Sequence, residues 1–182
     1  MGHVCPWWHA YLFDNWFRAL FFKPERMFGP YVEPGMAVLD IGCGMGFNSI
    51  SLARMVGPDG RVIAVDVQQK MLDVMLKRAR KAGVAERIRA CRCSPESIEV
   101  DEQVSFAVAF WVVHESPDPP ALLREVRDRL RPGGKVLVAE PKGVVSEEAF
   151  RDTLAAALDA GLVVCDKPRI FWSRAAVFAR ER

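Results

Sequence analysis

Short apolar runs rich in β-branched residues alternate with helical patterns from Met36 to the end of this chain. The first two runs, 37–41 and 61–66, are bounded by glycine or proline, which is typical of buried strands. Between them a helical pattern over 48–55 ends at a Gly-Pro-Asp-Gly turn. Strands joined by helices predict right-handed βαβ units and a mostly parallel sheet covered by helices on both faces.

The same reasoning predicts the rest of the sheet. Further strands are expected at 88–93, 106–111 and 135–140, with helices at 69–81, 119–130 and 146–160 and an Arg-Pro-Gly-Gly turn at 131–134. The two final runs, 162–165 and 175–179, have no helix-length connection, so they are expected to pair as an antiparallel hairpin. The predicted fold is therefore α/β: a doubly wound, mostly parallel, seven-stranded Rossmann-like sheet with an antiparallel C-terminal hairpin strand.

The first 30 residues have a different pattern. Aromatic and leucine residues recur there at the four-residue spacing of an amphipathic helix: Trp8, Leu12, Trp16 and Leu20. A second short helix is expected from Pro24 to Gly29. We expect residues 1–33 to form a helical lid on a core of residues 34–182. Three roles are open for this apolar stripe: it packs on the sheet, it closes a pocket, or it contacts a second copy of the chain in a homodimer.

Composition excludes several classes of protein. The chain has 182 residues, of which 51% are hydrophobic and 26% charged, with a formal net charge of +2. These values exclude disorder and give no global field that attracts nucleic acid or anionic lipid. Residues 7–22 carry Asp14 and Arg18, so neither a membrane span nor a signal peptide is expected. Five scattered cysteines without a C-x-x-C pair favour a reducing, cytoplasmic location and no metal site, with Cys91 and Cys93 as the alternative soft-ion pair.

A glycine-rich segment carries the chemistry. Gly42, Gly44 and Gly46 stand where the first strand ends and a helix begins, so the loop can turn tightly and a ligand can approach its backbone. Asp66 closes the next strand, 20 residues after Gly46. A carboxylate at this position can accept hydrogen bonds from both hydroxyls of a ribose.

The residues around the loop favour one cofactor class. Asp40 precedes the first glycine by two residues, and the spacing is G-x-G-x-G rather than G-x-G-x-x-G. A carboxylate at this place would repel a pyrophosphate but suits a cationic amino acid. S-adenosylmethionine carries an ammonium and a sulfonium and no phosphate, so it is favoured. An NAD-binding oxidoreductase remains an alternative.

Three segments in matching order resemble the class I S-adenosylmethionine-dependent methyltransferases, particularly the small type 11 domains: VLDIGCGMGFNS, VIAVDVQQKML and LLREVRDRLRPGGKVLVAEP. The resemblance covers about residues 35–140 and implies a single methyltransferase domain over 1–182. It implies S-adenosylmethionine as cofactor and S-adenosylhomocysteine as product. The cofactor-binding residues that it implies are Asp40, Gly42, Cys43, Gly44, Gly46, Asp66, Val67, Met71, Ser94 and Phe110.

Within that set the resemblance gives each part of the cofactor its residues. The three glycines would line the methionine moiety, and Asp40 would support its ammonium. Asp66 would bind the ribose, and Val67 and Met71 would flank the adenine. Relatives often have an acid after the third strand, where this chain has Cys93 and Ser94. They often have one at the start of the fourth strand too, where this chain has Ala107.

The segment after the fourth strand is expected to lie beside the transferable methyl group. His114 is the candidate catalytic base there, since its ordinary pKa is near neutrality; the alternative is that it only orders the loop. The expected substrate pocket consists of Trp8, Tyr11, Trp111 and His114.

A small-molecule acceptor is expected, methylated mainly through proximity and alignment. The chain lacks the Pro-Pro-aromatic motif of enzymes that methylate base amines. Its basic residues between 78 and 92 have the spacing of a solvated helix face, which disfavours nucleic acid. The other alternative is a methyltransferase-like protein that binds the cofactor without turnover and acts in regulation.

Overall fold

The computed structural model describes residues 21–181. Its seven strands are β1 (Ala37–Ile41), β2 (Arg61–Asp66), β3 (Ile88–Arg92), β4 (Val104–Phe110), β5 (Leu130–Pro141), β6 (Leu162–Asp166) and β7 (Ser173–Arg180). The α-helices of this part of the chain are α1 (Pro24–Phe28), α2 (Phe47–Met55), α3 (Gln69–Lys81), α4 (Pro119–Arg129) and α5 (Glu147–Asp159). Two single 3-10 turns, Ala85–Arg87 and Val113–Glu115, lie in the connections.

The strands form one sheet in the order β3-β2-β1-β4-β5-β7-β6. Strands β1 to β5 pair in parallel, whereas β7 is antiparallel to both of its neighbours. The predicted doubly wound α/β fold with an antiparallel C-terminal strand is therefore confirmed. The strand order reverses between β1 and β4, and in such sheets ligands bind beyond the carboxyl ends of the strands at this reversal.

Helices cover both faces of the sheet. Leu52 of α2 and Leu72 of α3 are buried in one apolar layer, together with Phe28 of α1. Leu123 of α4 and Phe150 of α5 are buried in the opposite layer. Strand β1 lies between the two layers and is buried along its whole length, so the loop that follows it has a rigid base.

Local capping places the helix starts. Ser146 Oγ accepts a hydrogen bond of 3.0 Å from the amide of Ala149 and thereby caps α5. Asp118 Oδ1 caps α4 in the same way through the amide of Ala121, at 2.9 Å. The short helix α1 starts at Pro24 as predicted.

The fifth strand is longer than predicted. It begins at Leu130, so the expected turn at 131–134 lies inside the strand and α4 ends one residue earlier, at Arg129. The β4–β5 pairing passes from Leu130 opposite Val104 to Lys135 opposite Phe106, so residues 131–134 have no partner in β4 and form a bulge. Gly133, with φ of 78°, allows the chain to take these extra residues within the strand.

The predicted helical lid at 1–33 falls largely outside the described residues. Among residues 21–181, no helix has both the length and the apolar character needed to cross a membrane.

Candidate functional site

A cavity of about 420 Å³ opens at the carboxyl ends of all five parallel strands. The residues that end or directly follow these strands line it: Ile41, Asp66, Cys93, Phe110 and Pro141. Of the predicted site residues, those that line the cavity are Gly42, Cys43, Gly44, Asp66, Val67, Met71, Ser94, Phe110, Trp111 and His114. Trp8 and Tyr11 lie outside the described residues.

The glycine loop needs glycine for two different reasons. Gly42 has φ of 64°, and a Cβ there would lie 2.5 Å from Val112 Cγ2, so the close approach of these segments excludes a side chain. Gly44 has φ of 52°, and a Cβ there would meet no atom within 4 Å. Because Gly44 lines the cavity, its missing side chain leaves space for a ligand against the backbone.

Asp66 is fixed by the backbone of the loop and of the next helix. Its Oδ2 accepts a 2.9 Å hydrogen bond from the amide of Gly44, and its Oδ1 accepts one of 2.8 Å from the amide of Gln68. Burial raises the pKa of Asp66, while these two hydrogen bonds partly lower it. An ionised carboxylate has about four acceptor positions, so two remain for hydroxyl groups in the cavity.

Two predicted cofactor residues are not part of the cavity lining. Asp40 is 1% exposed, and its Oδ2 accepts a 2.5 Å hydrogen bond from Ser49 Oγ in α2. Gly46 is the N-cap of α2, where a Cβ would lie 2.4 Å from Met75 Cγ. These contacts join the strand, the loop and two helices behind the cavity. A contact between Asp40 and an ammonium stays a prediction.

Asn48 is a site residue that the sequence analysis missed. It lies in the first turn of α2, lines the cavity and is 6% exposed. Its Oδ1 has no hydrogen-bond partner. A buried amide oxygen without a partner costs about 1–3 kcal/mol, so a ligand that donates a hydrogen bond to it would remove this cost. The position after a glycine loop was the only signal in the sequence.

Two thiols face the same cavity as Asp66. Burial and the charge of Asp66 raise the pKa of Cys93 to about 12. Burial and the charges of Asp40 and Asp66 also raise the pKa of Cys43. Both groups are therefore neutral thiols near pH 7 rather than nucleophilic thiolates.

His114 contacts a carboxylate at the end of the fifth strand. Its Nδ1 contacts Oε2 of Glu140, which is fully buried. Burial lowers the pKa of His114, but the hydrogen bond to Glu140 and the charges of Glu140 and Glu115 outweigh it, so the pKa is raised. The sequence showed that an acid ends this strand but not which residue it contacts.

Two tryptophans that line the cavity have left-handed backbone conformations. Trp111 has φ of 61°, and its Nε1 donates a 3.0 Å hydrogen bond to Ser173 Oγ. Trp172 has φ of 47° and is 55% exposed. Such strained residues concentrate at functional sites. Trp172 was not predicted, because it lies in the loop between the last two strands, far from any motif.

Charge distinguishes the ligands that this cavity can take. Among the described residues that line it, none is Lys or Arg. No group of three metal-ligating side chains occurs within residues 21–181. The cavity therefore offers carboxylate and amide oxygens to a ligand but no Lys or Arg to a pyrophosphate.

Comparison with known proteins agrees with this chemistry. A protein-family model for a methyltransferase domain matches residues 32–167. The chain belongs to this methyltransferase family. The resemblance to class I S-adenosylmethionine-dependent methyltransferases is thereby confirmed, and membership implies S-adenosylmethionine as cofactor.

Curated relatives of the domain include two methyltransferases of different name. The chain is 32% identical to a demethylmenaquinone methyltransferase of Lactobacillus johnsonii over 70% of its own length and 50% of the relative's. It is 33% identical to an arsenite methyltransferase of Halobacterium salinarum over 66% of its own length and 30% of the relative's. The chain thus spans half or less of the length of these relatives.

Solved structures share the fold. A S-adenosylmethionine-dependent methyltransferase from Aquifex aeolicus superposes with a TM-score of 0.87 at 23% identity, covering 97% of this chain and all of that one. A [4+2]-cyclase superposes with a TM-score of 0.71 at 17% identity, covering 86% and 79% of the two chains. The fold alone therefore does not determine the reaction.

The residues present fit the cofactor that the family implies. Gly44 leaves room against the loop, Asp66 has two acceptor positions left, and Asn48 Oδ1 lacks a donor. S-adenosylmethionine offers ribose hydroxyls and an ammonium as donors and has no phosphate. NAD would bring a pyrophosphate into a cavity that is lined by Asp66, Glu96 and Glu115 and by no Lys or Arg, so the oxidoreductase alternative fits less well.

Proposed function

We propose that this domain binds S-adenosylmethionine in the cavity and transfers its methyl group to a small apolar acceptor. The observation that carries the proposal is the fixed carboxylate of Asp66 beside Gly44, in a cavity whose described lining has no Lys or Arg. Bound there, the cofactor supplies an electrophilic methyl group and leaves as S-adenosylhomocysteine, a neutral thioether.

The binding residues act mainly by orientation. Asp66 accepts hydrogen bonds from the ribose hydroxyls, and its backbone partners hold it in place before the ligand arrives. Val67 and Met71 enclose the adenine, with Ser94 at its edge. The glycine loop and Asn48 receive the methionine moiety. Groups fixed in advance in this way lose little further freedom on binding.

The acceptor is proposed to lie between the strand ends and the two tryptophans. Phe110, Trp111 and Trp172 give this part of the cavity apolar aromatic walls, and His114 adds one polar group. Relatives that are a demethylmenaquinone methyltransferase and an arsenite methyltransferase support a small-molecule acceptor rather than a polymer.

Nucleic acid remains disfavoured as a substrate. The Arg78 and Arg87 guanidinium groups each donate to a backbone carbonyl, of Met45 at 3.3 Å and of Ala53 at 3.2 Å. Arg89 pairs with Glu102 at 3.4 Å. These residues support the fold instead of forming an open basic face.

The proposed location is the cytoplasm. Each cysteine of residues 21–181 is a free thiol, which suits a reducing compartment. A homodimer through the N-terminal stripe stays a prediction.

The experiment is a melting-temperature scan with S-adenosylhomocysteine, S-adenosylmethionine and NAD. A ligand at 100 times its dissociation constant adds about 2.7 kcal/mol of stability. We expect the first two to raise the melting temperature and NAD to leave it unchanged. Release of S-adenosylhomocysteine in the presence of hydroxylated aromatic acceptors then separates an enzyme from a protein that only binds the cofactor. A shift with NAD alone would contradict the proposal.

A further inference from the structure

Glu140 is a fully buried carboxylate, and both of its oxygens contact one short segment. Oε1 accepts a 2.9 Å hydrogen bond from the amide of Val113, and Oε2 contacts His114 Nδ1. Burying a carboxylate is costly unless its oxygens are partnered. Glu140 therefore attaches the 3-10 turn Val113–Glu115 to the end of β5 through backbone and side chain together.

This contact determines the state of the imidazole. A carboxylate only accepts hydrogen bonds, so neutral His114 carries its proton on Nδ1. Nε2 is then left with its lone pair, on the part of the ring away from Glu140. The side chain lines the cavity and is 25% exposed. A proton acceptor is thus held at the cavity surface with a fixed tautomer.

The same two segments also provide the aromatic walls. Trp111 precedes His114 by three residues, and Pro141 follows Glu140 directly. The backbone amide of Lys142 donates a 3.0 Å hydrogen bond to the backbone carbonyl of Trp172. A molecule packed between the tryptophans therefore lies against the segments that carry the imidazole and its carboxylate.

We propose that Glu140 is a positioning residue that holds His114 with Nε2 free to take a proton from the methyl acceptor. The inference rests on the proposed function and adds a substrate class to it: an aromatic acceptor with an ionisable hydroxyl. The O–H bond breaks, its electron pair stays on the acceptor oxygen, and the proton binds Nε2. The resulting imidazolium then releases this proton to water.

Charge around the imidazole strengthens it as a base. Glu140 contacts it from β5, and Glu115 acts from the same turn, while burial opposes both. The net result is a raised pKa, and a base of raised pKa takes a proton from a weakly acidic hydroxyl more readily.

The test is nitrogen-15 NMR of the histidine rings in the full chain. The sequence contains three histidines, and the His114 signals are assigned by their loss in His114→Asn. For the wild type we expect neutral His114 to carry its proton on Nδ1 and to have a pKa above its ordinary value. In Glu140→Gln we expect the pKa to fall by about 1 and the tautomer preference to be lost, because an amide lacks the charge and both accepts and donates. Glu140→Asp should restore part of the rise.

Glu115→Gln is the matched control. It removes a negative charge near His114 but leaves the hydrogen bond between Glu140 and His114 in place. We therefore expect a smaller fall in the pKa of His114 and an unchanged tautomer. An Nε2-protonated wild-type His114 would overturn the proposal without any variant, and so would an unchanged tautomer and pKa in Glu140→Gln. A melting scan with S-adenosylhomocysteine on each sample keeps the two proposals apart, because cofactor binding can succeed while the imidazole result fails.

Discussion

The amide of Gly44 donates a 2.9 Å hydrogen bond to Oδ2 of Asp66, across 22 residues of sequence. The glycine loop and the acid that ends β2 are therefore a single unit before any ligand binds. The Gly44 amide holds the Asp66 carboxylate in position, and the absence of a side chain on Gly44 leaves open space for a ligand. Both the position of the carboxylate and the room for a ligand therefore depend on Gly44.

A side chain at Gly44 should weaken binding more than folding. In Gly44→Ala, the left-handed backbone costs the folded state about 1 kcal/mol, and the new Cβ occupies ligand space. Gly83→Ala is the control, because Gly83 has φ of 70° and equal room for a Cβ but does not line the cavity. Urea unfolding should show similar losses for both variants, and calorimetry should show weakened S-adenosylhomocysteine binding for Gly44→Ala alone. Equal affinities would contradict this assignment of the loop.

Affinity should depend on pH through Asp66. Burial raises its pKa, so protonation begins at a higher pH than for an exposed aspartate, whose pKa is about 3.9. Protonation removes acceptor positions for the ribose hydroxyls, so S-adenosylhomocysteine affinity should fall as the pH decreases through the raised pKa. Calorimetric titrations from neutral to acidic pH measure this fall. Asp66→Asn should bind weakly at every pH, and a wild-type affinity that stays constant down to pH about 4 would contradict the prediction.

Asn48 should distinguish the parts of the ligand. Asn48→Leu removes the unpartnered Oδ1 at similar size, so the free protein should keep its stability. S-adenosylhomocysteine should bind about tenfold more weakly, a loss of about 1.4 kcal/mol. 5′-Methylthioadenosine, which has the ribose and adenine but lacks the amino acid, should bind as to wild type. An equal loss of affinity for both ligands would contradict a contact between Asn48 and the amino-acid part of the cofactor.

The pair of His114 and Glu140 should stabilise the protein at low rather than high pH. The folded pKa of His114 lies above its unfolded value of about 6.5, so the contribution is complete below that pH. It is lost as the pH rises through the raised folded pKa. His114→Asn keeps a polar side chain without the charge. Urea unfolding should therefore show a larger loss in the free energy of unfolding near pH 5.5 than near pH 9, which lie at least about one pH unit below and above the ordinary pKa. A deficit that is independent of pH would contradict the ion pair.

Strong local signals account for the parts of the structure that the sequence predicted. The runs at β1 and β2 and the helix over Gln69–Lys81 match the structure because periodicity and flanking turns agree there. Residues 131–134 lie within the bounds of β5, but none of them pairs with β4, because the register passes from Leu130 opposite Val104 to Lys135 opposite Phe106. The Pro-Gly-Gly signal therefore located a local irregularity, whereas the pairing of Leu130 with Val104 ahead of it could not be predicted from local sequence.

The missed site residues depend on contacts between distant segments. Glu140 meets a histidine 26 residues earlier, and Trp172 reaches the cavity from a hairpin loop. Asp40 had the right motif position, but the structure directs one of its oxygens to Ser49. Spacing located the glycine loop and Asp66, whereas side-chain partners required the fold.

The most direct test is isothermal titration of S-adenosylhomocysteine into wild type, Asp66→Asn and Asp73→Asn at neutral pH. Asp73 is the control, since it is an exposed acid on the next helix. Among the described residues its side chain contacts only Gln69, whose Nε2 donates a 2.9 Å hydrogen bond to Asp73 Oδ1. We predict one site per chain in the wild type, unchanged affinity in Asp73→Asn and at least about tenfold weaker binding in Asp66→Asn, about 1.4 kcal/mol. No heat with wild type, or equal affinity in all three proteins, would contradict a cofactor site built on Asp66.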